Sequence, residues 1–314
     1  MVRLTALVAA LMLLASGAQA QPALTTIRVG LVPTDDITPL VYAMRSGMFR
    51  KEGLDVSYVA GNSGTAMAAA VVSGSYEFGK SSLLSIVNAY LRGLPLVMIG
   101  SEAVYDDKNP YAQFVVASDS PFKTAKDLNG KTIGTPALND LDELATLAWI
   151  DKNGGDTKSV HFVELPQSAA IAAVSEHRVD GTVLHYPQVQ EALDSGKVRA
   201  MAPVYTGVSP FFVFAGFFTS KSYAQAHPDI VRKFMQTVYR AAAYTNKHHA
   251  ETVQMMADVT KVQPEVVAKM NRVDGATGLN PKDIQPAIDV AAKYHLISRD
   301  FPAAEMLQYA PNVR

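Results

Sequence analysis

Several short stretches of this 314-residue chain carry side chains able to hold a small molecule, and each stands where a strand-like run gives way to a helix-like one. After the first strand comes Pro33-Thr34-Asp35-Asp36-Ile37-Thr38. Asp35 or Asp36 could accept a hydrogen bond from a ligand N–H or ammonium, with Thr38 beside them; equally, aspartates and threonines in such places close turns and cap helices. Gly61-Asn62-Ser63-Gly64-Thr65 follows the second strand. Its glycines let backbone approach a bound group, and the helix that starts there presents unpaired N–H groups to partial negative charge. A simple capped turn is the alternative. Lys80-Ser81-Ser82 offers hydroxyls to a ligand oxygen or to a helix N-cap, with Lys80 expected in solvent.

A second set lies further along the chain. Thr135-Pro136-Ala137-Leu138-Asn139 contributes Thr135 and Asn139; Pro166-Gln167-Ser168 contributes Gln167; and His185-Tyr186-Pro187 contributes a hydrogen-bonding imidazole and a ring that can stack. His185 reads equally well as a partly buried structural histidine. Tyr105 is a further candidate, reaching from a loop of the first half or standing at the surface. None of these loops carries an arginine, which a doubly charged anion would use as a bidentate clamp. The set suits a small organic ligand, ring-bearing and of neutral or modest charge. It does not suit catalysis or metal binding: no Ser-His-Asp order or metal-spaced histidine pair stands out. The adjacent His248 and His249 point in different directions on a helix. No catalytic residue, metal ligand or cofactor is expected.

The loops are positioned by alternating elements. Ile27–Val32, Leu54–Val59, Tyr76–Gly79 and Leu96–Ile99 read as strands; Pro39–Phe49, Thr65–Ser73 and Leu83–Arg92 read as the helices between them. Such β-α repetition predicts a mainly parallel sheet with covering helices. Gln113–Ala117 opens a second series, with strands at Lys131–Gly134, His161–Leu165, Gly181–Leu184 and Val198–Pro203. Its helices cover Leu144–Ile150, Ser168–Glu176 and Pro187–Leu193, the first started by a capping box of Asp140 and Glu143. Phe211–Thr219 is a buried strand, in which Phe211 and Phe212 pack core or hinge, and the remainder is helical, with Ile230, Phe234 and Val238 on one apolar face. The expected division is 1–20, 21–112, 113–210 and 211–314: a leader, the first part of one lobe, a second lobe, and a return to the first.

Bulk properties narrow the function classes. With 28 basic and 29 acidic residues the net charge is -1, which argues against a nucleic-acid partner. Cysteine is absent, so there is no disulfide, thiol nucleophile, thiolate metal site or lipid-bearing cysteine. Residues 1–20 have the form of a cleavable secretion signal: Arg3, the apolar run Leu4–Ala15, then Ala18-Gln19-Ala20 before Gln21. An uncleaved anchor is the alternative.

Three stretches in order carry a family resemblance: Gly47-Met48-Phe49-Arg50-Lys51-Glu52-Gly53-Leu54-Asp55-Val56, Val72-Ser73-Gly74-Ser75-Tyr76-Glu77-Phe78-Gly79, and Lys126-Asp127-Leu128-Asn129-Gly130-Lys131-Thr132-Ile133-Gly134. Together they resemble periplasmic binding proteins of the nitrate, sulfonate and taurine transport type, a group that includes binding proteins for pyrimidine precursors of thiamine. The resemblance implies an α/β fold of two lobes, the type II periplasmic binding fold, with a ligand cleft between lobes that close on the solute. It implies a periplasmic monomer without a lipid anchor, delivering a sulfonate-, aromatic- or pyrimidine-like solute to an ABC permease and its ATPase. Two rival readings share the fold. One is an enzyme acting on a small metabolite; the related pyrimidine synthases use a cysteine-rich motif that this chain lacks. The other is a sensing subunit for a membrane receptor.

Overall fold

The structure is a computed structural model that describes residues 23–61 and 64–311. The expected leader and two candidate residues, Asn62 and Ser63, lie outside the described residues. The chain runs β1 (Thr25–Leu31), α1 (Thr38–Arg45), α2 (Met48–Lys51), β2 (Leu54–Ala60), α3 (Gly64–Val72), β3 (Phe78–Ser82), α4 (Leu83–Leu91) and β4 (Leu96–Asp106). It crosses into β5 (Ala112–Ala117), β6 (Thr132–Thr135), α5 (Leu141–Lys152), β7 (His161–Glu164), α6 (Gln167–Ser175), β8 (Gly181–His185), α7 (Gln188–Asp194) and β9 (Val198–Ala202). It returns through β10 (Phe211–Ser220), α8 (Lys221–Ala226), α9 (Pro228–Thr245), α10 (Val253–Thr260), α11 (Pro264–Lys269), β11 (Asp274–Gly275) and α12 (Pro281–Lys293).

These strands form two sheets, ordered β11-β4-β10-β3-β1-β2 and β7-β6-β8-β5-β9. Both are mixed, which corrects the expectation of mainly parallel sheets. β1 pairs in parallel with β2 and β3, and β6 with β7 and β8, as βα repetition requires. The two strands that carry the chain between lobes insert the other way: β10 runs antiparallel between β3 and β4, and β5 antiparallel between β8 and β9. A strand entering from the far lobe has no crossover helix to turn it round, so it runs against its neighbours.

The first lobe is held by rings. Phe234 on α9 lies 5.4 Å from Phe49, 4.5 Å from Phe78 and 5.3 Å from Phe217, between ring centroids. The four-residue spacing on α9 does place Phe234 and Val238 in the core, with Ile230 half-buried at its edge. Gly79 faces Phe218 across the β3–β10 pair, where a Cβ would stand 2.3 Å from the phenyl ring; only glycine lets that ring lie over the strand. Phe212 is buried, whereas Phe211 is 43% exposed at the start of β10.

Two strands run longer than expected. β3 continues through Lys80 and Ser81 to Ser82, and β4 continues past Ile99 to Asp106. Tyr105 is therefore a strand residue, not a loop residue. A two-residue β11 pairs with β4 at Val104 and Ala103, a strand too short to show in sequence periodicity.

Candidate ligand-binding cleft

The carboxyl ends of parallel strands from both sheets open into one cleft of about 610 Å³. From the first lobe, β1 delivers Asp35 and Asp36 and β3 delivers Lys80, Ser81 and Ser82; from the second, β8 delivers His185 and Tyr186. The loop after β6 adds Asp140, the first turn of α5 adds Asp142, and the start of α6 adds Gln167. This is the place where open α/β sheets hold ligands, because the strand ends and helix starts leave backbone groups free there.

One wall is a buried ion cluster. Lys80 is 8% exposed, paired to Asp36 through a short contact, 3.6 Å from Glu102 Oε2 and within 3.3 Å of Thr34 Oγ1. The expectation that Lys80 is solvated is thus overturned: β3 carries it into the cleft wall, where only carboxylates offset its desolvation. Burial alone would lower its pKa, but Asp36 and Glu102 outweigh burial and raise it. Glu102 reaches this cluster through a bulge. In the β4–β10 ladder Ala103 faces Ala215 and Ser101 faces Gly216, which leaves Glu102 as the extra residue. Burial and the nearby Asp36 push the Glu102 carboxyl well above the usual range, against the pull of Lys80, and neither of its oxygens receives a hydrogen bond.

The other wall is a carboxylate held by a histidine and a tyrosine. Asp142 Oδ1 accepts from His185 Nε2 at 2.9 Å and from the Tyr205 hydroxyl at 2.8 Å. Desolvation draws the His185 pKa down, but Asp142, Asp36 and Asp140 outweigh it and raise it above the ordinary histidine value. Burial drives the Tyr111 and Tyr205 hydroxyls well above their ordinary pKa, so both stay protonated donors. Rings fill the space between: Tyr111 stacks on Phe214 at 4.4 Å and on His185 at 5.3 Å. Phe214 reaches Tyr111 because it is the unpaired residue of a second irregularity in β10, between Val213 and Ala215. The lobes also touch across the cleft, where the Ser82 hydroxyl donates to Asp140 Oδ1 at 2.8 Å.

The candidates named from sequence divide accordingly. Asp35, Ser81, Ser82, Gln167, His185 and Tyr186 border the cleft. Asp35, however, is not a free acceptor: its side chain is wholly buried, Oδ1 accepts from Arg272 Nε at 2.8 Å and Oδ2 from Val273 N at 2.7 Å. Thr38 stands behind it, its hydroxyl bonded to Asp35 O at 2.7 Å and 3.2 Å from Arg272 Nη2, away from the cleft. Tyr105 is 1% exposed and packs behind Tyr205, with centroids 5.5 Å apart. Thr135 is buried and turns its hydroxyl onto Ala137 O at 3.2 Å. Asn139 faces a neighbouring hollow, not this cleft. Gly64 and Thr65 open α3.

Several cleft residues escaped the sequence reading. Asp140 reads in sequence as half of a capping box, but its side chain makes no cap hydrogen bond; it turns to Ser82, and Glu143 alone reaches back, to Asn139 N at 2.8 Å. The available signal was the Asp140-x-Asp142 pair at a helix start, which doubles the acid needed for a cap. Tyr205 lies on a turn after β9, Tyr111 just before β5 and Phe214 on β10, at the two crossings between lobes; nothing local marks them. No arginine borders the cleft among the described residues, and no group of three or more histidine, aspartate or glutamate side chains there is placed to hold a metal.

No helix among the described residues is long and apolar enough to cross a membrane. The formylaminopyrimidine-binding protein of Halalkalibacterium halodurans is 22% identical over 238 residues, spanning 74% of this chain and 70% of that protein. The periplasmic aliphatic sulphonate binding protein SsuA of Escherichia coli superposes with a TM-score of 0.74 at 18% identity, covering 94% of each chain. The alkanesulfonate-binding SsuA of Xanthomonas axonopodis pv. citri, bound to MOPS, gives 0.71 at 21% identity over 91% of this chain and 98% of its own. The structural likenesses are ones of fold, and that fold is the two-lobe periplasmic binding architecture. The NMT1/THI5 like family model matches residues 34–252, most of the chain, and the chain belongs to that family.

Proposed function

We propose that the protein captures a small, planar, nitrogen-bearing ring compound in the cleft and hands it to an ABC-type importer in the membrane. The observation that carries this is the pairing of Asp140 and Asp142 with the Phe214–Tyr111–His185 stack. Both hydrogen bonds from His185 and Tyr205 go to Oδ1 of Asp142, which leaves Oδ2 for a donor in the cleft. A ring amine or amide supplies such a donor, and its flat face suits the aromatic wall. A sulfonate or nitrate would meet Asp36, Asp140 and Asp142 with only Lys80, Lys261 and His185 as cations. The pyrimidine named for the Halalkalibacterium relative is of the favoured chemistry; the sulfonates named for the structural neighbours are not.

In this reading residues 1–20 direct secretion and are removed, and the monomer works in the periplasm without a lipid anchor. The lobes divide at 112/113 and 210/211, supported by the two sheets and the strands that cross between them. Asp140, Asp142, His185 and Tyr186 hold the ring, Gln167 and Ser81 border it, and Asp35 and Thr38 brace the wall. The role is binding without catalysis.

The test is thermal unfolding of residues 21–314 with 4-aminopyrimidine, taurine and nitrate. A ligand that binds only the folded state adds about 2.7 kcal/mol of stability at a hundredfold excess over its dissociation constant. A raised midpoint with 4-aminopyrimidine and none with the anions supports the proposal; the reverse pattern overturns it.

A further inference from the structure

One wall of the first lobe holds more buried acid than buried base. Asp36, Lys80 and Glu102 are all buried, on the turn after β1, on β3 and on β4. One ammonium therefore stands between two carboxyl groups, and it serves them unequally. Lys80 Nζ is in short contact with Asp36 Oδ2, and the Thr34 hydroxyl donates to Asp36 Oδ1. Glu102 Oε2 lies 3.6 Å from Lys80 Nζ, outside hydrogen-bond reach, and both Glu102 oxygens are buried without a partner.

The neighbouring elements bring Glu102 no further cation. Beside the bulge β10 presents Ala215 and Gly216, which carry no charge. On the other side β11 pairs at Ala103 and Val104, and its Asp274 lies 3.7 Å from His249. Asp35, next to Asp36, is held by Arg272 and Val273 N. From α9 the Tyr239 hydroxyl accepts from Ser101 N at 3.1 Å. Lys80 and Asp36 are the charges that act on Glu102, and Asp36 acts in turn on His185 of the second lobe.

A carboxylate buried without hydrogen bonds is far more costly than the neutral acid in the same place. Two acids beside one cation do not both ionise freely, and the negative charge settles on the one with made contacts, Asp36. We infer that Glu102 is a proton-binding site of the first lobe and a switch on the cleft wall: its proton, held at neutral pH, leaves Lys80 to Asp36, and its loss at higher pH divides Lys80 between two carboxylates and frees Asp36 toward the cleft. Asp36 and Lys80 both border the cleft, so the proton sets how much negative charge that wall presents. The switch holds whatever the cleft binds. Sequence gives no sign of it, because Glu102 turns inward through a bulge and meets groups 66 and 22 residues away only in the folded sheet.

The experiment follows the side-chain carboxyl carbons of residues 21–314 by carbon-13 NMR across pH, without ligand, each assigned through its own backbone so that no variant is needed for assignment. Glu102 should show the acid form at pH 7. The Asp36 signal should move in step as Glu102 loses its proton. Asp36→Asn, which leaves Lys80 one carboxylate, should lower the Glu102 midpoint by about one pH unit or more. Denaturant unfolding gives a second readout. The folded state holds a proton above the ordinary 4.5 that the unfolded chain releases, so stability falls as pH rises from there to the raised folded value. Across that window the folding equilibrium constant of the parent should drop relative to Glu102→Gln by up to about tenfold per pH unit; His185 is present in both proteins and cancels. A Glu102 already ionised at pH 7, or parent and E102Q curves that run parallel, overturns the proton site. A Glu102 proton kept up to the alkaline limit of folding, an Asp36 signal that does not respond, or a midpoint that D36N leaves in place overturns the switch.

Discussion

Replacing Arg272 by methionine removes the cation that faces the most deeply buried carboxylate beside the cleft. Asp35 has a fully buried side chain whose oxygens are held by Arg272 Nε and Val273 N at 2.8 and 2.7 Å. Arg272 also reaches Thr252 Oγ1 at 3.1 Å and His249 O at 3.2 Å, so it ties the loop after β1 to the segment between α9 and α10. Burial already raises the Asp35 pKa despite the pull of Arg272. Breaking a buried pair by removing one partner costs about 3–5 kcal/mol, because the other is left uncompensated. At about 2–4 °C per kcal/mol for a chain of this class, R272M should melt roughly 6–20 °C below the parent by calorimetry. The double variant D35N/R272M has no stranded charge, and its amide oxygen can still accept from Val273 N, so it should recover part of the loss. A midpoint for R272M within about 2 °C of the parent would refute the reasoning. It would return Asp35 to the role of a free ligand acceptor, in which D35N removes binding and leaves stability alone.

The His185–Asp142 pair makes stability depend on pH. The folded pKa of His185 is raised above its ordinary 6.5, so its contribution is fully present below about 6.5 and is lost as pH rises through the raised value. The midpoint of the parent should fall more steeply than that of His185→Gln across this window, and parallel curves would show that the pair is not formed. Gly207→Ala should lower the melting midpoint by several degrees. A Cβ there would stand 2.4 Å from Trp149 N, a backbone atom of α5 that cannot swing aside, and overpacking of this kind costs about 1–3 kcal/mol. An unchanged midpoint would show that the Tyr205 turn is free to shift. Ser82→Ala removes both the acceptor for Ser85 N and the donor to Asp140. It should cost about 1 kcal/mol as a lost cap and enlarge the ligand-free radius of gyration in solution scattering, with Ser82→Thr restoring both; equal radii for all three proteins would remove Ser82 as an inter-lobe contact.

Much of the fold was legible because it rests on local periodicity. The β-α alternation from β1 to β4 and from β6 to β9 is written in short apolar runs and turn residues, and each expected element starts within a few residues of its expected place, although the helix expected over Pro39–Phe49 breaks into α1 and α2. The errors share a cause. Whether β10 and β5 run against their neighbours depends on which strands they lie between, and no window of sequence contains that. The extra length of β4 also has a tertiary origin: β10 and β11 pair with it as far as Asp106 and Val104, and so draw out a segment that by itself reads as a loop.

The sequence by itself determined that this is a two-lobe α/β chain without cysteine, with its candidate ligand loops after strand ends, and Ser82, Gln167, His185 and Tyr186 do border one cleft there. Only the tertiary structure decided which polar groups are free. Asp35 and Asp36 are neighbours in sequence with identical side chains. One is committed to Arg272, 237 residues away, and the other to Lys80, 44 residues away. The availability of a carboxylate depends on its partners and its desolvation, and both are set by elements distant in the chain.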